Sequence, residues 1–202
     1  MYSMYPYIRR ESHPDFTRAA YLLPFFRTKQ PAMSHYITTH NTNGKPIFSN
    51  LVADHHEMQI PIGTIKTVWS SHELPTNLST EADIEQYKHD RTNIFFSGDR
   101  RICPQNGSAT CIISMKPGGE SGFHRTMTLD TIVMLEGEIE LHLDSGEKRT
   151  LKAEDTIVQR GTMHKWVNVT PNGGWARWVA FIQIIEQPLE VANKTFRGEW
   201  AH

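Results

Sequence analysis

From Ala109 to Ile185 the chain is cut into short β-rich runs by closely spaced turn signals, and this alternation constrains the fold more than any other feature. The runs are Ala109–Met115, Gly122–Thr128, Thr131–Glu136, Glu138–Leu143, Lys148–Leu151, Thr156–Arg160, His164–Val169 and Ala176–Ile185. Pro117-Gly118-Gly119, Glu136-Gly137, Asp144-Ser145-Gly146, Gly161 and Pro171-Asn172-Gly173-Gly174 separate them. Many short strands at such spacing predict an all-β sandwich or barrel. Upstream, His35–His40, Pro46–Ser49 and Ile62–Ser70 continue the strand pattern, with a turn at Asn43-Gly44. A short helix is expected over Glu81–His89, with Thr80 placed to cap it and Asp83 three residues on.

The 202 residues, 38% of them hydrophobic, suit one domain with a full core and some appended sequence. Residues 1–32, rich in aromatics and prolines without a clean period, read as an N-terminal extension, and residues 33–202 as the domain proper. Positive and negative side chains nearly cancel, at 21 Lys+Arg and 22 Asp+Glu, so neither a nucleic-acid nor a membrane partner is predicted. A cytoplasmic location is expected. Cys103 and Cys111 flank Pro104-Gln105-Asn106-Gly107, which reads as a hairpin turn. Two reduced thiols are the favoured reading there, with a cross-hairpin disulfide as the alternative.

The chemistry concentrates in two segments. Gly118, His124, Asp130 and Gly137 stand in the first, and Gly161, His164 and Asn168 in the second. Their spacing resembles the two motifs of the cupin family. Thr126 stands where that pattern carries a second histidine, Asp130 where it carries glutamate, Ala153 where it carries glycine and Gln159 where it carries proline. The resemblance implies a single cupin barrel, a double-stranded β-helix or jelly roll. Its core would span about residues 109–186, with one or two short helices beside it. The stretches Ile37–Ser49 and Gln187–Trp200 are similar to the flanks of a fungal and bacterial group of single-cupin proteins. A homodimer paired through edge strands is also implied, and the extension is a candidate cover for such an edge.

Side chains in strands alternate between faces. An inward His124 brings Thr126 and Thr128 with it and turns Arg125 and Met127 outward. An inward Asp130 brings Ile132 and Met134, and an inward His164 brings Trp166 and Asn168. His124, Asp130 and His164 would then be two imidazoles and one carboxylate suited to a divalent transition metal: Fe(II), Zn, Mn, Ni or Co. The alternative is a metal-free barrel in which the two histidines are hydrogen-bonded and Asp130 caps a turn. Thr126 and Arg160 are the candidates for positioning a small-molecule substrate, Arg160 through a bidentate carboxylate pair. Met134, Trp166 and Phe181 are candidates for pocket wall or core.

Three functions fit this reading. The first is a metal-dependent lyase or decarboxylase acting on a small organic acid or a phenolic, polyketide-type compound, with the metal as Lewis acid. The second is a non-haem Fe(II) dioxygenase on a similar substrate. The third is a metal-free small-molecule-binding protein, because a barrel of this kind does not fix a reaction.

Overall fold

The computed structural model describes residues 34–96 and 100–200. The extension read over residues 1–32 lies outside them. The chain runs through β1 (Thr38–His40), β2 (Pro46–Phe48), β3 (Met58–Ile60), β4 (Gly63–Ser71), α1 (Ala82–Asp90) and β5 (Ser108–Met115). It continues through β6 (His124–Arg125), β7 (Thr128–Glu136), β8 (Glu138–Leu143), β9 (Lys148–Lys152), β10 (Thr156–Arg160) and β11 (His164–Asn168). After a single 3₁₀ turn at Pro171–Gly173 follow β12 (Ala176–Ile184), β13 (Leu189–Val191), β14 (Lys194–Phe196) and β15 (Glu199–Trp200). Two antiparallel sheets result. One has the order β10-β7-β12-β5-β4-β3, the other β15-β6-β11-β8-β9, and β1-β2 and β13-β14 form separate hairpins. Non-sequential neighbours in both sheets give the jelly-roll connectivity that the sequence implied.

The inner faces of both sheets share one core. Met115, Ile132, Met134, Trp178 and Ile182 enter it from the first sheet, and Ile139, Leu141, Leu151 and Trp166 from the second. The every-other-residue burial along β7 and β12 is what a strand with one face on a core requires. A smaller cluster of Val52, Ile84 and Tyr87 fixes α1 against β4, where the Tyr87 hydroxyl donates to the Thr67 carbonyl at 3.0 Å. At the end of α1, buried Asp90 accepts hydrogen bonds from Ser70 and Gln86 and pairs with His72.

Three local expectations are corrected. The helix starts at Ala82 with Glu81 at its N-cap, and the Thr80 hydroxyl meets only the Ala82 amide, at 3.4 Å. Cys103 and Cys111 are free and buried, as the favoured reading of two reduced thiols had it, but the hairpin read between them is not formed. A turn does form, with the Gly107 amide on the Pro104 carbonyl, but β5 pairs with β4 and β12, so Cys103 is not its cross-strand neighbour. The run expected over Gly122–Thr128 is split. His124 and Arg125 pair with β11 and β15 in the second sheet, whereas Thr128 opens β7 in the first. The chain changes sheets at Thr126-Met127, and this crossing separates residues that the sequence placed together.

The return crossing is at Gly137, between β7 and β8. Its φ is +74°, and a Cβ there would lie 2.4 Å from the Trp175 carbonyl oxygen. Gly137→Ala combines left-handed strain with a backbone clash and is expected to destabilise by about 3 kcal/mol. A urea midpoint unchanged from wild type would refute this.

Candidate active site

His124 and His164 are register partners on β6 and β11, and their ring centroids lie 4.3 Å apart. The Nδ1 of each lies 2.9 Å from a backbone carbonyl, Gly122 for His124 and Thr162 for His164. A proton on Nδ1 satisfies both carbonyls and leaves each Nε2 as the lone-pair nitrogen. Burial lowers the pKa of His124. Burial, together with the neighbouring His124, takes His164 down to about 4. Both rings are therefore neutral at neutral pH.

Three further side chains fix these rings. The Trp200 indole stacks on His124 at 4.9 Å and 10°, brought there by the pairing of β15 with β6. Trp166 meets His164 edge-on at 5.3 Å. The Gln159 amide reaches Thr162 and lies 3.0 Å from His164 Nδ1.

Asp130 is buried on β7, directly across from Gln159 on β10. Its Oδ1 is sealed from solvent without a hydrogen-bond partner, and burial raises its pKa to about 7 despite the nearby Thr128 hydroxyl. The carboxyl thus stands one side chain away from the imidazole pair, with Gln159 between. Among the described residues no three His, Cys, Asp or Glu side chains are gathered as metal ligands. Chemically the donors suit a divalent transition ion: two imidazoles with free Nε2 and an orphaned carboxylate oxygen. Positionally the imidazole pair fits, and Asp130 is not brought to it.

A cavity of about 570 Å³ lies on the other side of Trp200, which lines it and stacks on His124; neither histidine is part of its wall. Arg100, Arg101, Arg125, Arg197, Thr126 and Trp200 contribute to its wall. The Thr128 hydroxyl donates to Thr126 Oγ1 at 2.8 Å, which frees the Thr126 proton for a ligand. Arg125, expected to face outward, is buried at 9% exposure, with its guanidinium 4.6 Å over the Phe196 ring and 3.5 Å from Glu199.

Two candidates are corrected by strand alternation. Arg160 is exposed because its neighbour Gln159 takes the inward position, and it does not line this cavity. Phe181 is 47% exposed on the outer face of β12, so it is neither wall nor core. Met134 is a core residue, and Trp166 is core that also touches His164. Sequence reasoning missed Gln159, whose only signal was the departure from proline at that position. It also missed Trp200, Arg100 and Arg197, which reach the site through tertiary packing.

No protein-family model matches the chain. Curated relatives do. The phomopsin biosynthesis cluster protein C′ of Diaporthe leptostromiformis is 35% identical over 82% of this chain and 85% of its own length. A cupin-domain-containing oxidoreductase of Neurospora crassa is 38% identical over 71% of this chain and 72% of its own length. Among solved structures, the Cnp3 cupin domain of Schizosaccharomyces pombe aligns with 75% of this chain and 88% of that domain, at 11% identity and a TM-score of 0.42. With such curated relatives, and with its motif residues set in a jelly roll of two sheets, the chain belongs to the cupin family.

Proposed function

We propose that this chain is a cupin enzyme acting on a small organic acid or a phenolic, polyketide-type compound, with the His124–His164 pair as its centre. The observation that carries this reading is the pair itself: two neutral imidazoles in contact, each with a backbone carbonyl at its Nδ1. Relatives named for the phomopsin and oryzine biosynthesis clusters support a substrate from secondary metabolism. His124 and His164 would hold a divalent ion through Nε2. When bound, such an ion supplies Lewis acidity towards a substrate carbonyl or carboxylate. Thr126 donates a hydrogen bond to the substrate, and Trp166 and Trp200 keep water from the imidazoles. Carbon–carbon bond cleavage, as in a lyase or decarboxylase, is the reaction these groups suit best.

Metal analysis of protein purified without chelators tests the reading. About one divalent ion per chain is expected in wild type, falling to background in His124→Ala and His164→Ala. Full metal content in both variants would overturn it. A second reading, oxidation by O₂, is favoured by relatives named oxidoreductases in Neurospora crassa, Aspergillus ruber and Hypocrea virens. O₂ uptake during turnover of phenolic acids separates the two, since turnover that persists without O₂ excludes the oxidative reading.

A further inference from the structure

Four arginines from separate parts of the chain line the cavity. Arg100 and Arg101 come from the segment before β5, Arg125 from β6, and Arg197 from the turn before β15. No acidic side chain lines the cavity among the described residues. In a chain whose charges nearly cancel, this is a local concentration of charge and not a consequence of composition. Arg125 is already engaged by Glu199 and Phe196. Arg100 and Arg197 are exposed and form no ion pair with another described residue. Like charges around a concave wall focus a positive potential into it, and an entering anion relieves their repulsion. Planar guanidinium forks match a carboxylate better than a single ammonium does. The Trp200 indole, steadied by the edge of Phe95 at 6.0 Å, gives the same wall an aromatic surface. The volume falls within the range of small-ligand pockets.

We propose that this cavity is a subsite for an aromatic acid, taking its carboxylate between Arg100 and Arg197 and its ring against Trp200. The two arginines then hold the substrate carboxylate, the role that the sequence offered for Arg160. The inference deepens the reading of the neighbouring centre as an enzyme site. It does not depend on the reaction performed there.

Calorimetric titration of the full chain with phthalate tests it, with benzyl alcohol as the neutral aromatic and inorganic phosphate as the non-aromatic anion. Phthalate is expected to bind one to one, more weakly at high salt, and more tightly than either control. Arg197→Gln should weaken it by roughly tenfold, and the double variant with Arg100→Gln further, because each removes a charge-assisted contact. Both positions are exposed, so the thermal midpoint should stay at the wild-type value. Absent phthalate binding, unchanged affinity in the double variant, or phosphate binding as tightly as phthalate would each overturn the proposal. Binding is read without turnover, so loss of the metal result above leaves this one standing, and the reverse also holds.

Discussion

Asp130→Asn is expected to stabilise the protein above pH 7 by about 4 kcal/mol and to change the shape of its pH profile. The Asp130 carboxyl titrates from an ordinary value of 3.8 when unfolded to about 7 when folded. Between those values the folded state binds the extra proton, so stability falls as pH rises, and the penalty is complete above pH 7. Three pH units at about 1.4 kcal/mol each set the size. His164 works the other way. Its folded pKa of about 4 lies below the ordinary 6.5, so stability is lost as pH falls between these values, by about 3 kcal/mol. The two slopes oppose each other over nearly the same window. Wild type should therefore be flatter from about pH 4.5 to about pH 6.5 in chelator-containing buffer than either variant. Asp130→Asn should rise with pH there, and His164→Gln should fall. Urea midpoints across the window measure this, and three parallel profiles would show that neither group is buried as described.

Asp90→Ala should give the other large loss, about 3 kcal/mol, or some 6–12 °C in thermal midpoint for a domain of this size. Burial alone would push the Asp90 carboxyl up, but hydrogen bonds from Ser70, His72 and Gln86 outweigh it and hold the pKa below the ordinary value. Removing the carboxylate strands the Ser70 hydroxyl, which is 2% exposed, and unlatches α1 from β4. The same depressed pKa means that this contribution is present above the ordinary carboxylate range and disappears as pH falls through the folded value. Asp90→Asn should lose less, because Asn keeps one acceptor for Ser70. Equal losses in Ala and Asn would point to charge, not hydrogen bonding, as the source.

The strand pattern and the two motifs were legible because each rests on local chemistry: alternation along a strand, and glycine or proline at turns. The boundaries of β7 through β12 follow those signals to within a few residues. The change of sheet at Thr126-Met127 was not legible. Nothing in a run of Phe, His, Arg, Thr and Met announces that its first half pairs with β11 and its second half with β12. That one crossing decides which donors share a sheet, and spacing alone could not show it. Arg160 was misjudged for a smaller reason. In alternating strands adjacent residues face opposite ways, and inward Gln159 fixed its neighbour outward. The arginine wall depends on segments almost a hundred residues apart, and no local pattern encodes their convergence.

Cys103 and Cys111 carry thiols that burial lifts to about 12. At neutral pH the reactive thiolate is then on the order of one molecule in 10⁵, so the closed barrel is nearly inert to alkylating reagents. Cys111 sits in mid-strand, bound on both sides by β4 and β12, while Cys103 lies against the arginine-lined cavity. The two sulfurs keep different time. Modification of Cys103 would report local opening beside the cavity, and modification of Cys111 would report separation of the sheet itself. Their ratio would show, without any introduced label, whether an acid entering the cavity quiets only the mouth or the whole barrel.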